Sequence, residues 1–277
     1  LTVQSVEAKP AMRNPSPPFM TSTLQQEASR KYGMGAKACM SEAQRLDEAG
    51  HITYMRTDGI DMAPEAVMSA RDVIRATFGA AYVPDSPRMY KNKAKNAQEA
   101  HECIRPTDMA AAPEKLRLIE ADQRKLYDLI WKRTIASQMS AARMERTVVE
   151  LASPDGQVGL RANGQVVLFD GFLKVYDEGR DDEDDDEGRL PQIDAGDKVE
   201  KRKVTPEQHF TQPLPRYTEA TLVKRVEELG IGRPSTYASV ITTILLTLRS
   251  RIWPNIETPR AARASRSEMR FSSTPAA

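Results

Sequence analysis

The apolar residues of this chain change their spacing near residue 142, and this change limits the folds that the chain can adopt. Before that point they recur three and four positions apart, as at Ala36, Met40 and Ala43, which is the spacing of one helical face. After it, short β-branched runs such as 147–151 alternate with glycine-containing turns, which is typical of strands. The sequence therefore predicts an α+β protein that is mainly helical and carries a separate β-rich segment.

Local signals give approximate limits for each predicted element. Proline suits the first turn of a helix and glycine often follows the last, so Pro64, Gly33 and Gly230 mark three boundaries. Residues 10–18 are rich in proline and are predicted to be an extended lead-in. Helices are predicted at 24–32 (capped by Ser22 or Thr23), 36–49, 64–78, 113–139, 219–229 (capped by Thr218) and from Ser235 or Thr236 onward. Strands are predicted at 51–55, 147–151, 157–161, 165–175 and 198–204.

The net charge of +1 conceals an uneven distribution of charge along the 277 residues. Residues 177–187 hold nine acids and one arginine, so this run carries −8 and the remainder of the chain carries +9. Because dense like charges repel, the run is predicted to be a solvated loop between strands. A basic body with one acidic loop suits a polyanionic partner.

Cysteine use and hydropathy exclude several classes of protein. Cys39 and Cys103 lie far apart and form no Cys-x-x-Cys pair, so the sequence indicates neither a disulfide scaffold nor a zinc site. Two isolated cysteines fit a reducing cytoplasm. No stretch approaches the roughly 18 consecutive apolar residues of a membrane-spanning helix, so no membrane partner is expected.

The segment 53–58, Thr-Tyr-Met-Arg-Thr-Asp, puts a nucleophile beside a cation. In an extended segment, side chains two positions apart share a face, so Tyr54 and Arg56 are expected to point the same way. A phenol with a pKa of about 10 needs activation before it attacks, and a guanidinium can bind a phosphate and stabilise charge on its oxygens. The segment suits phosphoryl transfer, although on its own it also fits a tyrosine at the rim of a core.

A second polar segment spans 97–107 and contains His101 and Arg105. A histidine here can bind a phosphate oxygen or relay a proton near neutral pH. The alternative is a histidine that is hydrogen-bonded for structural reasons only.

A third segment, Gly-Ile-Gly-Arg-Pro-Ser-Thr-Tyr at 230–237, joins two predicted helices. Glycine lets the backbone approach a ligand closely, and the free N–H groups at a helix start favour a phosphate. Ser235 or Thr236 would cap that helix, and Arg233 adds positive charge. An ordinary capped helix start is the alternative, and both interpretations can hold together.

Together these segments resemble motifs of the bacterial type IA DNA topoisomerases. Residues 52–58 are similar to the active-site tyrosine motif of that family, and residues 98–106 (Gln-Glu-Ala-His-Glu, then Ile-Arg-Pro) resemble a second motif. Residues 216–220, leading to 230–239, resemble a third, and 15–26 are also similar to the family. The order and spacing of the motifs agree with the family, and the resemblance covers roughly residues 1–244.

The resemblance implies a reaction. Tyr54 would attack a backbone phosphate of single-stranded DNA, form a 5′-phosphotyrosyl bond and release a 3′-hydroxyl. The other strand would pass through the gap before resealing, which relaxes negatively supercoiled DNA without ATP. Arg56 would hold the scissile phosphate, and the implied DNA-binding residues are His101, Arg105, Arg233, Ser235 and Thr236.

The resemblance also implies an architecture, which is a multidomain α+β clamp of mainly helical domains with a β-rich arch. Residues 1–14 and 142–212 would form the arch or hinge, and residues 15–141 the helical domain that carries Tyr54. Residues 213–244 would begin a helical DNA-binding base domain. Residues 245–277 diverge, with six arginines and no lysine, and are expected to be a poorly ordered tail from a changed reading frame, or else a basic nucleic-acid-binding tail.

The family binds Mg²⁺ through a carboxylate cluster in a domain that precedes the motifs present here. The sequence opens on Leu1, so we expect a fragment that lacks this domain, has no metal ligands of its own and is weak or inactive in cleavage. The expected partner is single-stranded or underwound DNA, and the protein is expected to be monomeric and cytoplasmic.

The sequence can also be compared with other classes of function. A non-catalytic single-stranded DNA-binding fragment is the main alternative, and it differs from the enzyme by the absence of a covalent intermediate. A tyrosine recombinase or a rolling-circle nickase suits the chain less well. Recombinases place their tyrosine near the C-terminus, and three scattered histidines do not form the metal-binding cluster of a relaxase.

Overall fold

The computed structural model describes residues 1–90, 102–118, 120–179, 193–200, 202–203, 205, 208, 210–211 and 215–251, with side chains through residue 247. The strands are β1 (Thr2–Arg13), β2 (Ala142–Ala152) and β3 (Gly159–Phe169), and the α-helices are α1 (Thr21–Tyr32), α2 (Ala36–Glu48), α3 (Pro64–Phe78), α4 (Ala121–Ser137), α5 (Glu219–Glu228) and α6 (Tyr237–Arg251). The chain divides into two compact units, residues 1–241 and residues 242–277. The described part of the second unit, residues 242–251, is helical.

The three strands form one antiparallel sheet in the order β1-β2-β3. Local signals predicted only an extended lead-in over 10–18, whereas the resemblance grouped residues 1–14 with the β-rich residues 142–212. β1 begins at Thr2 and pairs with β2 along its length. It tolerates Pro10 because an edge strand has one side on which no ladder hydrogen bond is needed. Pairing of β1 with β2 therefore joins two segments that lie far apart in sequence.

Two strand predictions after residue 155 need correction. The predicted strands 157–161 and 165–175 are largely one strand, because Gly164 pairs with Thr147 inside the ladder and does not form a turn. The chain leaves the sheet at Gly171, where φ is 51° and a Cβ atom would lie 2.5 Å from the Ser140 carbonyl oxygen. In the described part of the predicted strand 198–204, Lys198 forms an isolated bridge with Thr2.

The predictions for α3 and for the cap of α5 are confirmed, whereas the prediction for α4 needs correction. α3 has the predicted limits, with Pro64 in its first turn. α5 is capped as predicted by the Thr218 hydroxyl, which accepts the Thr221 N–H at 3.2 Å. α4 is shorter than the predicted helix 113–139 and begins at Ala121.

The start of α1 differs from the prediction because the two expected cap residues have other partners. The N-cap is Met20, and the helix begins at Thr21. Thr23 lies in the first turn, and its hydroxyl accepts the Met20 N–H at 3.1 Å. Ser22 donates its hydroxyl hydrogen to Glu227 at 2.8 Å. At the other end the helix stops at Gly33 as predicted, and Gly33 takes the left-handed conformation with φ of 63°.

The main core lies among α1 to α4 and the segments that connect them. Its largest fully buried side chains include Phe19, Leu24, Leu46, Ile52, Ile74, Ile104, Tyr127 and Ile130. A smaller cluster lies between α5 and α6 and consists of Val223, Val226, Tyr237 and Ile241.

The acidic run is not a solvated loop at its start. Glu178 accepts a hydrogen bond from Arg133 at 2.6 Å, and Asp177 pairs with Arg13 at 3.2 Å. Burial alone would raise the pKa of Glu178, but Arg133 and other partners hold it below its ordinary value. Opposite charges therefore attach this end of the run to α4 and to the end of β1. Residues 180–187 lie outside the described residues.

Candidate active site

The segment that carries Tyr54 is irregular and is not the strand predicted at 51–55. Its only described ladder contact is one bridge between Ile52 and Pro106. The side chains nevertheless alternate, because Tyr54 and Arg56 are exposed while Met55 and Thr57 are buried. Tyr54 is 57% exposed, which is high for so large a side chain. The exposure of both side chains is consistent with the expectation that Tyr54 and Arg56 lie on one accessible side. An irregular loop, not a strand, gives this alternation.

Two threonine hydroxyls attach this segment to residues 102–105. Thr53 donates to the Cys103 carbonyl at 2.7 Å and accepts the Arg105 N–H at 2.9 Å. Thr57 donates to the Glu102 carbonyl at 2.8 Å. We call residues 53–58 the Tyr54 loop. Buried backbone groups need partners, and these side chains supply them where a neighbouring strand would otherwise do so.

A third hydroxyl reaches the Tyr54 loop from α1. Thr21 is fully buried, and its hydroxyl oxygen lies 2.8 Å from the Met55 carbonyl oxygen. The same oxygen accepts the Thr57 N–H at 2.9 Å. The loop is therefore held from two sides, by α1 and by residues 102–105.

Arg105 is engaged within the protein. Its guanidinium donates to both carboxylate oxygens of Glu102, at 2.6 and 3.1 Å, and to the Pro106 carbonyl at 2.9 Å. Glu102 also accepts the Ala63 N–H at 2.9 Å, just before α3. This geometry makes Arg105 a link between the second motif and α3, and its predicted role in DNA binding stays a prediction. His101 lies outside the described residues.

The turn between α5 and α6 is closed by its own residues. Thr236 accepts the Arg233 N–H at 2.8 Å and lies directly before α6. Gly232 has φ of 80°, and a Cβ atom there would lie 3.1 Å from the Thr236 hydroxyl oxygen. We call residues 230–236 the glycine turn. Arg233 and Ser235 are exposed on it, whereas the Thr236 hydroxyl already serves the backbone.

α5 contacts the helical part of the chain through two carboxylates. Glu227 accepts from Ser22 at 2.8 Å, and Glu219 accepts the Ala36 N–H at 2.8 Å. Glu219 thereby caps α2, whose own N-cap residue is Gly35 and offers no side chain. A Cβ atom on Gly35 would lie 2.9 Å from a Glu219 oxygen, so the glycine makes room for this cap.

A negative charge in the Tyr54 loop acts on the tyrosine at the start of α6. The pKa of Tyr237 is raised by burial first, and then by the negative charges of Glu227 and Asp58. Asp58 belongs to the Tyr54 loop, and Tyr237 follows the glycine turn directly. The fold thus brings the first and third sequence motifs close together.

The two cysteines are not candidate nucleophiles. Burial raises the pKa of the Cys39 thiol to about 12, and burial followed by the negative charge of Glu102 raises that of Cys103 to about 12. Neither forms appreciable thiolate near neutral pH. Among the described residues, no group of three or more histidines, cysteines or carboxylates is arranged to hold a metal ion. No helix in the described ranges is long and apolar enough to span a bilayer.

Comparison with known proteins identifies the family. The family model described as DNA topoisomerase matches residues 1–247. The chain belongs to the bacterial type IA DNA topoisomerase family. It is 54% identical over 265 residues to DNA topoisomerase 1 of Zymomonas mobilis, covering 94% of this chain and 21% of that protein. To DNA topoisomerase 1 of Rickettsia felis it is 49% identical over 252 residues, covering 87% of this chain and 32% of that protein.

A solved member of the topoisomerase family has a similar fold. Full-length topoisomerase I from Thermotoga maritima superposes with a TM-score of 0.71 at 37% identity, over 88% of this chain and 40% of that chain. The chain thus spans between about a fifth and two fifths of the proteins compared.

Within this topoisomerase-family chain, sequence reasoning did not single out Thr21, Ser22, Glu219 and Glu227 as parts of the site. The segment 15–26 resembled the family, but no local signal showed which residues its hydroxyls would contact.

Proposed function

We propose that this chain supplies the nucleophile and part of the DNA-holding surface of a type IA topoisomerase that cleaves and reseals one DNA strand. The observation that carries the proposal is the exposure of Tyr54 and Arg56 on a loop whose backbone is fixed by buried hydroxyl groups. An exposed nucleophile on a fixed backbone suits a reaction in which positioning contributes much of the rate.

The proposed chemistry is a transesterification. The Tyr54 oxygen attacks a backbone phosphorus, a new phosphorus–oxygen bond forms, and the bond to the 3′-oxygen breaks. The tyrosine proton passes to a base, and the departing 3′-oxygen gains a proton. Since one phosphodiester replaces another, the free energy of the bond is retained and no ATP is needed. Attack by the 3′-hydroxyl on the phosphotyrosine reverses the step and reseals the strand.

Arg56 is proposed to hold the scissile phosphate. It is exposed beside Tyr54, and its planar set of donors can reach two oxygens of one phosphate. The positive charge would also stabilise the charge that develops on those oxygens during transfer.

The glycine turn is proposed to hold the same strand at a second place. Arg233 and Ser235 are exposed there, and the start of α6 presents the positive end of its helix dipole. We infer that the partner is single-stranded or underwound DNA, because the Tyr54 oxygen must reach an unpaired backbone. We also infer that β1 to β3 form the arch of the family's clamp, and that the protein acts as a monomer in the bacterial cytoplasm.

Mg²⁺ is proposed to bind outside the sequence given, in the acidic domain that the resemblance implies. When bound, it would neutralise negative charge near the scissile phosphate. Among the described residues, no group of three or more histidines, cysteines or carboxylates could hold a metal ion, and the proposed steps use no metal ligand from them.

The test is a covalent-adduct assay. The chain is mixed with a 3′-labelled single-stranded oligonucleotide and Mg²⁺, alone and with a separately produced N-terminal region of the Zymomonas mobilis relative, and then denatured in SDS. We expect a labelled protein band that requires both parts and is abolished by Tyr54→Phe. Tyr217→Phe is the matched control, because Tyr217 is 64% exposed and lies outside the Tyr54 loop.

Two results would oppose the proposal. A band that persists in Tyr54→Phe would assign the nucleophile elsewhere. No band under any condition, with intact single-strand binding, would support the alternative of a non-catalytic DNA-binding fragment.

A further inference from the structure

The first turn of α1 contacts both halves of the candidate site. Thr21 faces the Tyr54 loop, where its hydroxyl oxygen lies 2.8 Å from the Met55 carbonyl oxygen and 3.0 Å from that of Thr57. It accepts the Thr57 N–H at 2.9 Å, and the Thr21 N–H donates to the Thr57 carbonyl at 2.9 Å. These contacts fix the peptide groups on either side of Arg56.

The neighbouring residue faces the other way. The Ser22 hydroxyl donates to the Glu227 carboxylate of α5 at 2.8 Å. Thr21 therefore contacts the Tyr54 loop, and Ser22 contacts α5, the helix that leads into the glycine turn. Because both lie in one helical turn, a displacement of α5 that moves Ser22 also moves Thr21.

We propose that Thr21 is a positioning residue that sets the geometry of Tyr54 and Arg56, and that Ser22 couples this geometry to the docking of α5. The inference rests on the proposed function, in which those two side chains meet the scissile phosphate. Thr21 does not touch DNA. It acts through the backbone. The carbonyl of Met55 and the N–H of Thr57 determine where the side chains of Arg56, between them, and Tyr54, beside them, can point.

The position of Thr21 suits this role because its hydroxyl is shielded from bulk solvent. Its side chain is fully buried, and the groups that it contacts are buried as well. Removing the hydroxyl would leave a buried carbonyl and a buried N–H with fewer partners, and the loop would have to shift to satisfy them. A misplacement of about 1 Å in a reacting group can slow a reaction by roughly 100-fold.

Thr23 provides a matched control within the same helical turn. Its hydroxyl accepts the Met20 N–H and donates to the Met20 carbonyl, both at 3.1 Å, so it closes the start of α1. It has no described hydrogen bond to the Tyr54 loop. Thr23→Val therefore perturbs the helix start alone, whereas Thr21→Val also releases the loop.

The experiment compares Thr21→Val, Thr21→Ser, Thr23→Val and Ser22→Ala with the unmodified chain in the adduct assay, under single-turnover conditions. Single-strand affinity is measured in parallel by fluorescence anisotropy, and exchange of the Thr57 amide hydrogen by NMR. We expect Thr21→Val to slow adduct formation by about 10-fold to 100-fold while the DNA dissociation constant stays within about twofold. Thr57 amide exchange should accelerate at least about tenfold, because its acceptor is gone.

The conservative variant and the control variant distinguish a positioning role of the Thr21 hydroxyl from a general disturbance of α1. Thr21→Ser keeps the hydroxyl and should restore most of the rate, and Thr23→Val should stay within about threefold of the unmodified chain. Ser22→Ala should slow the adduct less than Thr21→Val, and combining the two should add little, because both act through one turn.

Several results would overturn the proposal. These are a normal rate and normal Thr57 exchange in Thr21→Val, a Thr21→Ser variant as slow as Thr21→Val, or equal losses in Thr21→Val and Thr23→Val. Fully multiplicative effects of Thr21→Val and Ser22→Ala would remove the coupling through Ser22. If the unmodified chain forms no adduct even with the separately produced N-terminal region, the proposed function fails, but Thr57 exchange still decides whether Thr21 fixes the loop. If Thr21→Val does not fold, Thr21→Ser and Ser22→Ala decide by the same readouts.

Discussion

The Tyr54 loop and the glycine turn lie in one compact unit but are stabilised in opposite ways. The loop depends on partners distant in sequence, such as Thr21, which is 34 residues from Met55. The glycine turn depends on Thr236 and Arg233, which are three residues apart. The loop can therefore be moved by changes elsewhere in the fold, whereas the turn keeps its shape as long as its own residues are present.

This difference suits the roles proposed for the two regions. A nucleophile must be placed accurately relative to one phosphate, and contacts from several elements restrict its backbone more than one local bond does. A strand-holding turn needs only to present donors and positive charge, which the exposed Ser235 and Arg233 provide. The variants below test this contrast, in order of decreasing effect.

The largest loss of stability is expected from replacing Glu102. This residue links residues 102–105, which hold the Tyr54 loop, to the start of α3. In Glu102→Leu, the Arg105 guanidinium and the Ala63 N–H lose their carboxylate partner. We expect the free energy of unfolding to fall by about 2 kcal/mol, since Arg105 is largely shielded from water. Urea denaturation measures it, and adduct formation should fall as well.

Glu150→Leu is the control for this change. Glu150 pairs with Arg161 at 2.7 Å, but both side chains are exposed, so its loss should cost less than about 1 kcal/mol. Equal losses of stability in the two variants would mean that the Glu102 contact does not secure the loop.

Much of the helical framework could be predicted because its signals are local. Pro64 and the apolar stripe behind it predicted α3 to the residue, and Thr218 predicted the cap of α5. Local signals did not predict β1, because it is stabilised by β2, about 140 residues further on, and because its exposed polar residues and Pro10 resemble a loop; only the family resemblance grouped residues 1–14 with a β-rich region. Where pairing depends on distant segments, a single sequence contains little that reveals it.

In the candidate site, too, local features could be predicted and features that depend on distant residues could not. The motif at 53–58 indicated that Tyr54 and Arg56 share an accessible side, and their burial is consistent with this. The segment's irregular backbone was not predicted, because the hydroxyls that replace strand pairing come from Thr21 and from contacts with residues 102–105. The cap of α2 by Glu219, which is 183 residues from Ala36, had no local signal at all.

A smaller and purely electrostatic effect is expected at the glycine turn. Arg233→Ala should weaken single-strand binding and reduce the slope of log affinity against log salt by about 0.7, the share of one phosphate contact. The fold of the turn should persist, since Thr236 bonds to backbone atoms of residue 233 and not to its side chain. Anisotropy titrations over a range of salt concentrations measure the slope.

Arg225→Ala is the matched control for Arg233→Ala. Arg225 is an exposed arginine on α5 that pairs with Glu228 at 3.2 Å. Its replacement should leave the slope nearly unchanged. If both variants reduce the slope equally, binding depends on the general basic charge of this region and not on the glycine turn.

The smallest change in stability is expected at Glu227, whose carboxylate on α5 accepts the hydrogen bond from Ser22 of α1. Burial is the first cause of its raised pKa, the hydrogen bond from Ser22 opposes the rise, and the charge of Glu228 adds to it. A carboxyl whose pKa is higher in the folded state binds protons more readily there than in the unfolded chain. Its contribution to stability is therefore present at low pH and is lost as the pH rises through the folded-state pKa.

Glu227→Gln should remove this dependence, because the amide oxygen can still accept from Ser22 but carries no charge. Near pH 7 we expect a gain in stability of less than about 1 kcal/mol, which disappears as the pH is lowered toward the ordinary pKa of a glutamate. Urea denaturation at a series of pH values measures the difference, and Glu150→Gln is the control because that glutamate is exposed on β2 beside Arg161. A loss of stability at neutral pH in Glu227→Gln would mean that the charged carboxylate itself holds α5 on α1. The contact between the two regions would then be an ionic one, sensitive to salt, and not a hydrogen bond that tolerates a neutral acceptor.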